Sequence, residues 1–339
     1  MLKICFIAPG NEDYLSDSFL HGLRSLLGDQ VVDWPKAERL YQSCPVSVTK
    51  RIRGGAFSLY GLLEDIDIDR HYMYPRIQAG EFDLVIFADI CNDFGSFVQL
   101  SPQLPPKKVI LLDGADEESM YPYAGKWWRH HAHWFLPRAD RFLYFKRELT
   151  PRTLRYRSHM LLPLWICKRM ALPKNLRTTA FSIPEEKIVR GLQVKRKLFG
   201  THVVDAEVAG RLPGTNTSGF FETEGEYYAD LQASRYAITT KRAGWDCLRH
   251  YEIAANGCVP CFKQLNRKPA TCAPHGLNRS NCVVYENYED MMRQVEAIDD
   301  QRYAELQAGA LAWARANTTV KRARQLLAAI DPALLNGLP

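Results

Sequence analysis

Short apolar runs bounded by polar or turn residues organise the first half of this chain. Residues 4–8, 31–34 and 141–145 read as strands, and 82–88 (FDLVIFA) and 108–112 (KVILL) have the continuous apolar pattern of strands covered on both faces. Between the first two, residues 16–27 bring Phe19, Leu20, Leu23, Leu26 and Leu27 to one helical face, and Ser16 or Asp17 can cap its start. Strands alternating with helical segments predict a parallel sheet in a doubly wound α/β domain. From 150 to 178 the pattern breaks into Pro151, Pro163 and Pro173 among basic residues, which reads as a connection. A second α/β set follows, with helices expected at 185–199, 226–234, 245–256 and 290–298. Its strands are expected at 202–205, 236–239, 259–262 and 282–285. The tail, 301–330, carries Leu306, Leu311, Trp313, Val320, Leu326 and Leu327 at helical spacing.

The expected architecture is therefore two Rossmann-like doubly wound domains, 1–160 and 178–300, joined by 161–177. Helices from 301–339 are placed to pack back across the junction. A length of 339 residues supports this division, because a single core rarely grows so large. Two such sheets face each other across a cleft, and ligands bind beyond the carboxyl ends of their strands. Side chains just after each strand are the ones to weigh.

Composition narrows the class only a little. Hydrophobic residues make up 46% and charged residues 24%, as in globular proteins. No apolar run approaches the ~20 residues of a membrane span. The opening LKICFIAPG reads as a strand rather than a signal peptide, so a cytoplasmic location is expected. A net charge of +6 permits an anionic substrate, nucleic acid or a membrane surface and selects none of them. Nine cysteines without framework spacing suggest reduced thiols. Cys258 and Cys261 form a C-x-x-C, but in a strand residues three apart face opposite ways, which favours packing over zinc. No metal site is expected.

The most informative stretch is 241–262, KRAGWDCLRHYEIAANGCVPCF. It joins a basic, glycine-containing loop to a helix, a stop at Gly257 and an apolar strand. A helix opening after such a loop offers free N–H groups, here near Trp245 and Asp246, and a positive dipole end to a diphosphate. Arg249 adds a planar charged fork for phosphate oxygens. Glu252, three residues on, shares its helix face and can accept from a ribose diol. Taken singly, Arg249 and Glu252 are also an ordinary surface ion pair.

In Arg249-x-x-Glu252 followed by ANGCVP, the chain resembles the C-terminal domain of exostosin-like and spore-maturation-type glycosyltransferases. Residues 17–23 (DSFLHGL), 55–63 (GAFSLYGLL), 112–116 (LDGAD) and 144–149 (YFKREL) are similar to members of the same broad group. The resemblance implies the GT-B arrangement of two Rossmann-like domains, with a C-terminal nucleotide-sugar domain and an N-terminal acceptor side. It implies a hexosyltransferase-like, metal-independent enzyme that has no cofactor and takes a nucleotide-sugar as co-substrate. The acceptor would be a hydroxyl of a glycan, lipid-linked glycan or surface-polymer precursor. One departure stands out: the E-x7-E signature of many retaining enzymes would need an acid where this chain has Gly244.

Sugar transfer requires stabilising the departing diphosphate and removing a proton from the acceptor. For the first, the candidates are Lys241, Arg242, the Gly244 turn and Arg249, with Glu252 holding the ribose. For the second, Asp113 and Asp116 follow the strand at 108–112 and are the expected catalytic carboxylates, with Asp113→Asn expected to lower turnover. Both residues also suit a turn or a helix cap. Asp89, Glu12 and Asp13 border the same cleft and rank below them. Lys146 and Arg147 follow another strand and could meet phosphate or an anionic acceptor, or simply open a helix. Gly54 and Gly55 lack the spacing of a phosphate loop. Residues 126–135 (KWWRHHAHWF) suit an apolar helix face better than a metal site, with an acceptor platform or peripheral membrane contact as the lesser readings.

Two other classes stay open. The basic stretches 146–157 (KRELTPRTLRYR) and 195–197 suit a nucleic-acid-acting protein, including one that glycosylates modified bases. A catalytically silent sugar-nucleotide-binding module would keep Arg249 and Glu252 and dispense with the carboxylates.

Overall fold

The computed structural model describes residues 2–49, 52, 57–123, 136–155, 159, 161–217 and 221–338. Two parallel sheets dominate it. The first has six strands in the order β2-β1-β3-β4-β5-β6, and the second has four in the order β10-β9-β8-β7. The strands of the first are β1 Ile4–Ile7, β2 Val31–Trp34, β3 Leu84–Phe87, β4 Val109–Asp113, β5 Leu143–Lys146 and β6 Leu176–Thr178. Those of the second are β7 Lys197–Phe199, β8 Ser234–Thr240, β9 Val259–Lys263 and β10 Val283–Tyr285. Near-continuous burial along β1, β3 and β4 follows from their Ile, Val, Leu and Phe content, since helices and loops cover both faces.

Helix α1, Tyr14–Leu27, crosses from β1 to β2. Its cap is Asp13, whose Oδ1 accepts from the Ser16 N–H at 2.7 Å, rather than Ser16 or Asp17. Asp17 is instead buried in an ion pair with Arg39 at 2.6 Å. In the second domain, α2 Glu224–Ala233 precedes β8 and α3 Leu248–Ala255 links β8 to β9. The tail forms α4 Asp300–Ala316 and α5 Thr319–Ile330. Helix α5 lies on α1 so closely that a Cβ at Gly22 would meet the Thr319 carbonyl oxygen at 2.1 Å. One apolar cluster runs from β1 and α1 through Leu326 to Tyr251 of the second domain and Trp313 of α4.

Three local expectations are corrected. Residues 185–199 are not a helix: a turn at Glu185–Lys187 is followed by extended chain and then β7. Gly191 interrupts the helical pattern, and Lys197–Phe199 finds a partner in β8. The strand expected at 202–205 is therefore loop, and Asp205 caps the short helix Ala206–Ala209. The proline-rich connection also ends in a strand, β6, at the sheet edge, where missing ladder donors cost least.

Cys258 and Cys261 are buried in different apolar clusters on opposite sides of their sheet, as strand alternation requires. Residues 126–135, Gly54 and Gly55 lie outside the described residues. Among the described residues no helix is long and apolar enough to cross a membrane.

Candidate active site between the two sheets

In the first sheet the order of strands reverses between β1 and β3, the place where open α/β sheets form their crevice. The loop after β1 carries Asp13 and the loop after β3 carries Asp89. Burial first, and then the charge of Asp89, raise the Asp13 carboxyl from the usual range to about 7. Asp89 is raised by burial as well. A Cβ at Gly114 would sit 2.9 Å from Asp13 Oδ2, so the loop after β4 approaches the carboxylate with its bare backbone. Sequence reasoning weighed Asp13 and ranked it low; what distinguishes it is the switch point, which only the strand order reveals.

The two favoured carboxylates occupy different surroundings. Asp113 is fully buried, and its Oδ1 accepts from Lys146 Nζ at 2.9 Å and from the Ala115 N–H at 3.1 Å. Its Oδ2 accepts from the Tyr144 hydroxyl at 2.5 Å. Asp113 has no exposed face, and Lys146, equally buried, is its counter-charge. Asp116 is half exposed and pairs with Arg147.

Arg147 is 1% exposed and serves the domain junction. Its guanidinium donates to the Gly114 carbonyl at 2.9 Å and to the Asp246 carbonyl at 2.9 Å, and it lies over the Phe181 ring at 4.4 Å. Glu148 beside it accepts from the N–H groups of Trp245 at 2.8 Å and Asp246 at 3.2 Å. The N–H groups expected to hold an external anion thus hold a carboxylate of the first domain. The helix itself starts later, at Leu248. Gly244 fits this contact because it has no side chain: a Cβ would meet Glu148 Oε1 at 2.6 Å, Asp116 Oδ1 at 2.7 Å and Arg147 Nη1 at 2.9 Å.

On the second domain, one turn of α3 presents Arg249 and Glu252 together. Arg249 is half-buried and, among the described residues, closes no ion pair within 4.0 Å. Its neighbours are the Cys247 thiol, the Tyr227 phenol and the Glu252 carboxyl. Burial, then the charges of Arg249 and Arg242, lower the His202 imidazole to about 4, so it is neutral at pH 7. His202 follows β7 and so stands at the carboxyl edge of its sheet, whereas a strand at 202–205 would put it at the amino end. Lys241 and Arg242 are exposed on the loop after β8, and Lys241 Nζ lies 5.7 Å from the Trp245 ring centre.

Glu252 is raised from the usual carboxylate range by burial, against the pull of its hydrogen bonds to Ser58 and Tyr227 and the charge of Arg249. The Tyr227 hydroxyl donates to its Oε2 at 3.0 Å. The hydroxyl of Ser58, from the first domain, donates to its Oε1. The Ser58 N–H donates to Glu224 at 2.6 Å, and its hydroxyl also meets the Tyr228 hydroxyl at 2.7 Å. Nothing in the sequence pairs Ser58 with Glu252, 194 positions apart. Tyr14, next to Asp13, is raised by burial and then by Glu252, so the crevice and the second-domain helix share one electrostatic neighbourhood. Nearby, a cavity of about 370 Å³ is lined from both domains by Asp116, Glu118, Arg152, Lys241 and Trp245.

Two parallel Rossmann-like sheets facing a common cleft define the GT-B fold. Among solved structures the chain is similar to HepE of Anabaena in complex with UDP and glucose, with a TM-score of 0.53 at 9% identity over 98% of this chain and all of that one. A glycosyltransferase of Rickettsia africae matches with a TM-score of 0.53 at 9% identity over 99% of both chains. No family model matches the sequence, and no curated protein is similar to it.

Proposed function

We propose that this protein is a glycosyltransferase that moves a sugar from a nucleoside-diphosphate donor to a hydroxyl acceptor. The observation that carries the proposal is Arg249, a half-buried guanidinium without an ion-pair partner among the described residues, one helical turn from Glu252. An arginine so placed keeps its bidentate donors for a dianion, and a diphosphate fits. Arg242 and Lys241 add mobile positive charge as the diphosphate departs, which is the largest electrostatic demand of the reaction. In this reading those cations do the work and no bound metal or cofactor is required. Neutral His202 donates or accepts a hydrogen bond at the same wall. Glu252 takes the ribose diol.

The acceptor side is the switch-point crevice. Asp13 is the proposed base: its carboxyl titrates near neutrality, where a base both exists in the right form and holds a proton well. Asp116, facing the cavity, orients the acceptor, while Asp113 keeps Lys146 and Tyr144 in place beneath it. The acceptor is proposed to be a glycan, lipid-linked glycan or surface-polymer precursor. The nucleotide complex of Anabaena HepE supports UDP as the first donor nucleotide to try. The nucleic-acid reading loses some of its basis, since Lys195 donates to the Gln232 carbonyl and Lys197 pairs with Asp230.

The test is release of nucleoside diphosphate from a panel of nucleotide-sugars, with and without candidate acceptors. Turnover of one donor that stops in Arg249→Ala supports the reading. Absence of turnover with every donor in a folded sample that still binds nucleotide would favour the silent binding module.

A further inference from the structure

We infer that the crossover between β5 and β6 is a docking surface for an anionic lipid bilayer. Within that crossover, residues 149–175 contain six Lys and Arg and no Asp or Glu, as much positive charge as the +6 net of the whole chain. Arg152, Lys168, Arg169, Lys174 and Arg177 are all exposed. Of these five, only Arg152 approaches a carboxylate among the described residues, Glu118 at 3.7 Å.

Apolar side chains are interleaved with this charge. Leu161 is 94% exposed, Trp165 60% and Leu172 41%. The short helix Leu164–Cys167 buries Cys167 and turns Trp165 outward, and the Arg169 guanidinium lies over the indole at 5.6 Å. A lone exposed leucine needs no explanation, but two leucines and a tryptophan set among Lys168, Arg169, Lys174 and Arg177, which close no ion pair among the described residues, match the interfacial pattern. The indole and leucines enter the acyl boundary, while the long basic side chains keep their heads among lipid phosphates. A nucleic-acid backbone accounts for the charge and for a stacking indole, but offers nothing to Leu161 and Leu172.

The surface adjoins the cleft. The short helix packs on the turn Pro151–Leu154, and Arg152 of that turn lines the interdomain cavity. A bilayer here would stand beside the cavity mouth and deliver a lipid-bearing molecule to it. The binding itself is independent of the sugar-transfer reading.

The experiment is co-sedimentation of the full chain with phosphatidylcholine vesicles, with and without phosphatidylglycerol. Binding is expected only to the anionic vesicles and should weaken with salt. The double variant Lys168→Glu/Arg169→Glu should weaken it at least about tenfold. Trp165→Ala should weaken it severalfold at an unchanged melting temperature. Tyr72→Ala, at a residue 82% exposed beside Asp67 and Asp69, should leave it intact. Equal binding to neutral vesicles, or binding unchanged in both crossover variants, would overturn the inference. Capture of duplex DNA in place of vesicles, lost with the basic residues and indifferent to Trp165→Ala and Leu161→Ala, would also overturn it and make this a nucleic-acid surface.

Discussion

The hydroxyl of Ser58 donates to the carboxylate of Glu252 and ties a loop of the first domain to the helix that carries Arg249. A ribose diol is chemically the same kind of donor, so in the proposed reading Ser58 and the nucleotide compete for Glu252. Ser58→Ala removes the competitor and leaves the carboxylate for the ligand. A hydrogen bond to a charged group is worth about 1.5–3 kcal/mol, so nucleotide Kd should fall by roughly tenfold. Calorimetric titration of the variant checks this, and weaker binding would make Ser58 part of the binding surface instead.

Removal of either member of the helix pair should act on the donor. Arg249→Ala is expected to raise nucleotide Kd by about ten- to a hundredfold, and Arg249→Lys to recover only part of it, because a point charge cannot make the planar two-bond contact. Glu252→Ala should discriminate between sugars, costing affinity for ribonucleotides and little for their 2′,3′-dideoxy analogues. Equal losses for both would remove Glu252 from the ribose.

Asp13 predicts the pH profile. A base must be ionised, so kcat/KM should rise with pH through a limb near 7. Burial and the charge of Asp89 both disfavour that ionisation. Asp89→Asn removes the second and should move the limb to lower pH, while Asp13→Asn should lower turnover by about 100-fold or more and abolish the limb. An unshifted limb in Asp89→Asn would detach it from Asp13.

The buried pair Asp113–Lys146 makes a prediction about stability. Asp113→Ala strands Lys146 without its counter-charge inside the sheet layer, and the expected loss is about 3–5 kcal/mol. Denaturant unfolding measures it. A stable Asp113→Ala protein with reduced turnover would restore this residue to the chemistry.

Gly244 is tested through the junction. An added methyl meets oxygens of Glu148 and Asp116 and a nitrogen of Arg147, all closer than 3.0 Å. These groups are fixed by Trp245, Asp246 and Gly114, so the contact must open. Gly244→Ala should cost about 1–3 kcal/mol and weaken nucleotide binding as well. Wild-type melting and binding would show that the junction has room for the methyl group.

The strands with continuous apolar runs, β1, β3, β4 and β9, were legible because burial on both faces leaves no room for polar residues. The helix holding Arg249 and Glu252 was legible from its spacing and the Gly257 stop. Strand β7 was not, because three residues, KLF between Arg196 and Gly200, carry no period of their own. A strand at 202–205 in its place put His202 at the amino end. The burial of Asp113 was not legible for a different reason: position after a strand locates a side chain at the sheet edge but does not say which way it turns. Lys146 lies opposite it in register and draws the carboxylate inward. The meeting of Ser58 with Glu252, and of Glu148 with the 244–246 turn, belongs to the docking of two domains and leaves no local trace.

The central claim is that Arg249 anchors a nucleoside diphosphate. The most direct measurement is calorimetric titration of UDP, GDP, ADP, TDP and CMP into the wild-type chain and Arg249→Ala, with melting temperatures recorded for both. The account predicts saturable binding of one diphosphate by the wild type and at least about tenfold weaker binding by a variant that melts normally. Equal affinity in the two proteins, or no binding of any nucleotide to a folded wild type, would contradict it.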